Sequence, residues 1–199
     1  MKKIEAKFYV KSKTFFGKCI RFQQKWITKL PKRYSDVSHM ELWFPYKYIP
    51  KGTECTGGDN RMFRIGDDSA CDRLAVEHGI CWSSSEMDGG TRFKVIQINS
   101  ENWKSIEIPM KPKQIKMVTE FCLRENGQGY AVISIAMAQV LNINFVRRGY
   151  WFCNHACMTG IFRGLTSDFA YDFIKRFTHM WNPGLSYKYL EENFKFKNK

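Results

Sequence analysis

The sequence predicts an α+β fold in a single domain spanning residues 1–199, and three observations predict it. Apolar residues alternate with polar ones in several short runs, Ile4, Ala6, Phe8 and Val10 first among them, which is the period of a half-buried strand. Between these runs lie stretches whose apolar residues recur at helix spacing. A hydrophobic content of 44%, with 16 Phe and 6 Trp in 199 residues, supplies one core of ordinary size. No internal repeat, low-complexity tract or linker divides the chain.

Taken in order, residues 4–10 form the first strand. Phe15, Phe16, Cys19, Ile20, Trp26 and Ile27 predict an amphipathic helix over Thr14–Ile27, with Thr14 as N-cap and Pro31 beyond its end. Ser38–Phe44 alternates again. Met40, Leu42 and Phe44 share one face of it, and His39, Glu41 and Trp43 the other. Residues 51–78 carry Gly52, Gly57, Gly58 and Gly66 and are the weakest in pattern. They read as an irregular insertion of lid-like length, with a short helix near Asp72–His78. Ile80–Ser84 and Arg92–Ile98 are strands joined through the turn signal Asp88-Gly89-Gly90. Ser105–Ile108 is a further strand, stopped by Pro109. Pro112 opens a helix with Ile115, Val118, Phe121 and Cys122 on one face and Gly127 at its C-cap. Ala131–Leu141 is apolar nearly all round and predicts a buried helix. Asn142–Arg148 is a loop. Thr166 or Ser167 caps a last helix bearing Phe169, Phe173, Ile174 and Phe177, and residues 190–199 form a charged, fraying tail.

The formal charge is +13, with 32 Lys and Arg against 19 Asp and Glu. Such a surface attracts polyanions. The lysines are scattered rather than blocked, which points to a non-specific contact that fades with salt more than to a dedicated nucleic-acid site. No apolar run reaches the roughly 18 residues of a membrane span. The N-terminal Lys2 and Lys3 are followed by no apolar signal region, so the expected location is the cytoplasm. Seven cysteines, an odd number at irregular spacings, fit a reducing compartment.

The chemistry candidates start at Tyr150-Trp-Phe-Cys-Asn-His-Ala-Cys157. An aromatic run ends at Cys153, and helix spacing then begins with Ala156, Cys157, Gly160 and Ile161, with Gly164 as the stop. A cysteine at a helix N-terminus meets unpaired N–H groups and the positive end of the helix dipole, which favour thiolate. Its plain alternative is a buried cysteine among buried aromatics. A thiolate nucleophile needs an imidazole partner. Of the four histidines, His155 lies two residues from Cys153 and points away from it on a helix, which suits a core or orienting role. His78 falls in the irregular region and His179 in the last helix. His39 sits mid-strand, beside Ser38 and on the face of Glu41; its alternative is a structural histidine. Zinc on Cys153, His155 and Cys157 is the rival chemistry, but Cys-x-His-x-Cys lacks the usual ligand spacing.

Two stretches, Ser38-His39-Met40-Glu41-Leu42 and Tyr150-Trp151-Phe152-Cys153-Asn154-His155, lie in this order and 114 residues apart, measured from His39 to Cys153. Together they resemble the circularly permuted papain-like family, the permuted NlpC/P60 type that includes YiiX-like and lecithin-retinol-acyltransferase-like proteins. Cys81–Gly90, Trp103 and Gly127-Gln-Gly-Tyr130 are similar to positions in small, phage-encoded members. Where that family commonly has Ser-Glu after the cysteine, this chain has Asn154-His155, and Ala131-Val132 stand where Asp-Trp is common after the tyrosine. The resemblance implies an antiparallel sheet packed against helices, with Cys153 as nucleophile and His39 as general base and acid. It implies a third, orienting group on the strand after the histidine strand, which points to Ser83 or Ser84. Glu41, on the face of His39, is the rival for that role. It further implies a peptide, amide or ester substrate, no cofactor, no metal, and the host cytoplasm for a phage-encoded member. The departures leave a second reading open, a basic binding protein on an inactive scaffold, and the acyltransferase branch leaves a third, a lipid acyltransferase at a membrane surface.

Overall fold

The first alternating run forms β1 (Lys3–Val10), against which the rest of the sheet is laid. Ile4, Ala6, Phe8 and Val10 are buried, and the residues between them are not fully so. β2 (Val37–Phe44) pairs antiparallel with one edge of β1, placing Tyr9 opposite His39 and Lys7 opposite Glu41. β7 (Trp103–Pro109) pairs antiparallel with the other edge. The computed structural model describes residues 2–57, 61–67, 69–98, 101–132, 149–166 and 182–195. The helix expected over Ala131–Leu141, apart from its first two residues, the loop 142–148, and the last helix with His179 lie outside the described residues.

The sheet order is β4-β3-β6-β5-β2-β1-β7, and its remaining members are β3 (Glu54–Thr56), β4 (Met62–Arg64), β5 (Ile80–Ser85) and β6 (Gly90–Lys94). Two short strands, β8 (Gly129–Tyr130) and β9 (Tyr150–Trp151), continue from β6. The architecture is α+β, but the sheet is mixed rather than antiparallel. β3 pairs parallel with β6, and β8 parallel with β9. The segment 51–78 is also more regular than its glycines suggest. It extends the sheet by two strands and ends in α3 (Ser69–His78). Strands of three residues are too short to show a period, which is why the sequence reads as irregular there.

One face of the sheet carries Phe8, Met40, Leu42, Phe44, Ile80, Trp82, Phe93, Ile106 and Ile108, all buried. Against them pack α4 (Pro112–Arg124), α5 (Cys153–Leu165) and α6 (Pro183–Leu190). Each of the large apolar side chains contributes about 1.5–3 kcal/mol by leaving water. α4 begins at Pro112, and the C-cap is Glu125 rather than Gly127. Gly164 does not stop α5, which runs on to Leu165. A Cβ on it would lie 2.6 Å from Val118 Cγ2 and 2.9 Å from the Gln114 carbonyl oxygen, so glycine is there to let α4 and α5 touch. The tail is likewise tied down as far as residue 195. α6 passes into a π-type turn, Glu191–Lys195, and buried Glu191 accepts from Tyr34 Oη at 3.0 Å and Tyr187 Oη at 3.3 Å and pairs with Arg33.

α1 (Phe15–Trp26) has the expected span, and Thr14 caps it by accepting from the Gly17 N–H at 3.1 Å. α2 (Lys32–Ser35) follows it. The orientation of α1 is the reverse of what its apolar pattern suggests. Gln23 and Gln24 are buried, while Phe22, Trp26 and Ile27 are 62%, 61% and 52% exposed. The amides explain the inversion. Gln24 Nε2 donates to the carbonyls of Ser35 and Val37 at 3.2 and 2.5 Å, its Oε1 accepts from the Gly184 N–H at 2.5 Å, and Gln23 Oε1 accepts from Asn182 Nδ2 at 3.2 Å. A buried polar side chain that satisfies its hydrogen-bonding groups is not penalised for burial.

Candidate active site

The β2–β5 ladder ends at Leu42–Trp82, and α5 enters next to that point. The Met40 carbonyl accepts there from Ser83 Oγ at 2.7 Å and from the Cys157 thiol at 3.5 Å. Cys157 also donates to the Trp82 carbonyl at 3.7 Å, so the second turn of α5 is sewn to both strands. This fixes where the first turn begins. Phe152 is extended at φ −121°, ψ 160° and serves as N-cap without a side-chain hydrogen bond, and Cys153 is the first helical residue. The helix therefore opens at Cys153, and its N-cap residue offers no side-chain hydrogen bond to the first N–H groups.

The approach to Cys153 is held by its flanks. The Trp151 carbonyl accepts from Ser84 Oγ at 2.7 Å and from the Ala131 N–H at 2.9 Å, and Trp151 Nε1 donates to Glu125 at 3.1 Å. His155, buried, packs its ring 4.6 Å from that of Trp151 and 5.3 Å from that of Phe152. It is a core group behind the site.

His39 reaches Cys153 from β2. Its ring is about a quarter exposed, and its Nε2–H donates to Glu41 Oε1 at 3.2 Å, which leaves Nδ1 as the nitrogen that can face the thiol. Burial lowers the pKa of His39, but the negative charge and hydrogen bonding that Cys153 offers, then those of Glu41, outweigh it and raise it to about 10. The imidazole is thus cationic at neutral pH. Glu41 is itself buried, which raises its pKa, yet the guanidinium of Arg92 and the imidazolium of His39 bring it down to about 2. Arg92 Nη2 lies 3.1 Å from Glu41 Oε1 and Arg92 Nε 2.6 Å from Asp88 Oδ2, while Lys94 Nζ lies 3.2 Å from Asp88 Oδ1. The site is a line of alternating charges, His39, Glu41, Arg92, Asp88, Lys94.

The structure therefore brings His39 and Glu41 together with Cys153, and it does not bring Ser83 or Ser84 to the imidazole. The Ser83 hydroxyl is spent on Met40 and the Ser84 hydroxyl on Trp151, both buried and both structural. Of the candidate orienting groups it is Glu41 that bonds the imidazole, and a carboxylate stabilises imidazolium where a hydroxyl does little. Sequence reasoning missed Arg92 and Asp88. In the sequence Asp88 reads only as a turn residue, and the i,i+4 spacing of an acid and a base across a hairpin is the available signal. Tyr130, on β8, also lies within the electrostatic reach of Cys153. Burial, then the charges of Cys153 and Glu86, push its hydroxyl pKa up, so it stays a neutral donor. Gly129 before it is required, since a Cβ there would sit 2.7 Å from the Tyr150 ring. Among the described residues no group of His, Cys, Asp and Glu is arranged to hold a metal, and no helix is long and apolar enough to cross a membrane. Compared with family models, with curated proteins and with solved structures, the chain finds no match in any of the three.

Proposed function

We propose that the protein is a thiol hydrolase or acyltransferase of the permuted papain-like, NlpC/P60 kind, acting on an amide, ester or thioester carbonyl through an acyl-Cys153 intermediate. The observation that carries this reading is the placement of the His39–Glu41 pair, braced by Arg92, against a cysteine that opens helix α5. The Cys153 thiolate adds to the carbonyl carbon, and the oxygen takes the electron pair. The Cys153 backbone N–H, at the first position of α5, donates to that oxygen. His39, cationic at rest, gives its proton to the leaving amine or alkoxide as the tetrahedral adduct collapses. It then takes a proton from water, or from an acceptor hydroxyl or amine, which attacks the thioester carbon; collapse breaks the C–S bond, releases the acyl group on the acceptor and restores the Cys153 thiolate beside the His39 imidazolium. Glu41 stays ionised throughout and holds the ring.

The test is alkylation by iodoacetamide, read by peptide mapping at about pH 6.5, where a free thiol of pKa ~8.5 is almost wholly protonated. Cys153 should label faster than the other six cysteines, and His39→Ala should slow it by about tenfold or more. Once an acyl substrate is in hand, Cys153→Ser should reduce turnover by about a thousandfold or more with the fold intact. Equal, slow labelling of Cys153 in both proteins would make it an inert core thiol and end the proposal.

A further inference from the structure

We infer that α1 is a membrane-docking helix that lies on an anionic lipid surface. The inference stands apart from the thiol chemistry. α1 turns its apolar side outward. Phe15, Cys19, Phe22 and Trp26 fall at i, i+4, i+7 and i+11, within a narrow arc of the helix, and all four are exposed. Ile27 extends the patch past the helix end. The Phe22 and Trp26 rings lie 6.3 Å apart and form one continuous apolar ridge. This outward display is held by design of the inner face, where Gln23 and Gln24 clamp the helix to the chain before β2 and to the start of α6. Rolling the helix to bury the aromatics would strand those amides.

The charge around the ridge selects the occupant. Between Glu5 and Asp36 the chain has nine Lys and Arg and no carboxylate. Lys18 and Lys25 border the ridge on one side, with Lys25 Nζ 5.0 Å from the centre of the Trp26 ring. The loops that enter and leave α1 each hold a lysine, Lys11 and Lys29, at φ 57° and 51°. That backbone region disfavours an ordinary L-residue and suits glycine or asparagine, yet a cation stands at both places. An aromatic ridge edged by cations is the composition of a helix that sinks its apolar side into the acyl boundary while lysines meet lipid phosphates. A second copy of the chain fits less well, since it would bring the same cations face to face with no carboxylate on the helix to answer them.

The consequence for the site is positional. Gln24 donates to the carbonyl of Val37, two residues before His39, so α1 sits at the end of β2 that carries the imidazole. A protein docked through α1 holds its thiol site close to the lipid surface.

The experiment is co-sedimentation of the full chain with sucrose-loaded vesicles of phosphatidylcholine, with and without a minority of phosphatidylserine, at low and at physiological salt. Wild type, Phe22→Ser/Trp26→Ser and Lys18→Glu/Lys25→Glu are compared, each checked for an unchanged thermal melt. Wild type should bind the anionic vesicles, bind neutral ones weakly, and show a Trp emission shift to the blue that the aromatic double variant lacks. Both double variants should bind about tenfold less or worse. Absence of binding to anionic vesicles at low salt overturns the inference. So does binding that the aromatic variant retains in full, because the attraction would then come from the general positive charge. Sedimentation velocity without lipid completes the set: a wild-type dimer that the aromatic variant abolishes would give the ridge to a second copy and overturn the inference. Should the aromatic variant unfold, Phe22→Ser alone replaces it, read by the same loss of binding.

Discussion

At the scale of single residues, the arrangement around Glu41 has a cost that its neighbours offset. A carboxylate buried this deeply is stable only because Arg92 and His39 stand beside it. Arg92→Met should therefore be severe. It leaves Glu41 without its guanidinium, raises the carboxyl pKa towards neutrality, and should cost about 3–5 kcal/mol in urea unfolding. Glu41→Gln/Arg92→Met, which removes both charges, should recover a large part of that loss, and a double-mutant cycle measures the coupling. If the single Arg92→Met variant is as stable as wild type, the pair is not the brace described here. Glu41→Gln alone bears on function. It removes one of the groups that raise the His39 pKa, so the imidazole C2–H resonance should titrate at lower pH than in wild type. An unmoved titration would mean that Glu41 does not act on the ring.

At the scale of elements, what was legible in the sequence depended on whether one side of an element faces the core and whether its partners lie nearby in the chain. β1 and β2 read almost to their ends because a buried face imposes strict alternation on them. His39 and Glu41 were paired by the same rule, two residues apart on one strand. Arg92 was not, because it arrives from another strand 51 residues away. α1 was legible as a helix but not in its direction. A period tells that a helix has two sides, and only the hydrogen bonds of Gln23 and Gln24 decide which side is inward. Gly164 is a third case. A glycine near a helix end reads as a stop, whereas here it is a contact between α4 and α5. The two meanings predict opposite results. Gly164→Ala at a simple helix interior or end would be neutral or gain up to about 1 kcal/mol of helix propensity. At this contact it should lose about 1–3 kcal/mol, because the new methyl meets Val118 and the Gln114 carbonyl. Chemical unfolding of that one variant separates them.

At the scale of the whole molecule, the two site groups with displaced pKa values shape stability against pH from opposite ends. Glu41 has a folded pKa of about 2, below the roughly 4.3 of an unfolded glutamate. Its contribution is present above ~4.3 and is lost as pH falls towards 2. His39 is displaced the other way, to about 10 from an unfolded ~6.5, so its contribution is full below ~6.5 and is lost as pH rises through 10. Between these ranges, at about pH 5–6.5, both contributions are present, and stability should be highest there. The alkaline side has other contributors. Burial raises the pKa values of the Cys81, Cys122 and Cys157 thiols, and a folded thiol that resists ionisation also loses stability above the ~8.5 of an unfolded cysteine. Above about pH 8.5 the thiols and His39 therefore pull the raw curve down together, and a difference curve separates them. In His39→Gln the imidazole is gone while those thiols remain, so the stability difference between wild type and variant should shrink steadily from about pH 6.5 upward. In Cys153→Ala, which removes the largest influence raising His39, the decline should shift to lower pH and become smaller. Urea midpoints taken in half-unit steps of pH would show it. A wild-type minus His39→Gln difference that stays flat from pH 6 to 9 would mean that His39 gains no proton affinity on folding, and the coupling of His39 to Cys153 on which the catalytic reading rests would fail with it.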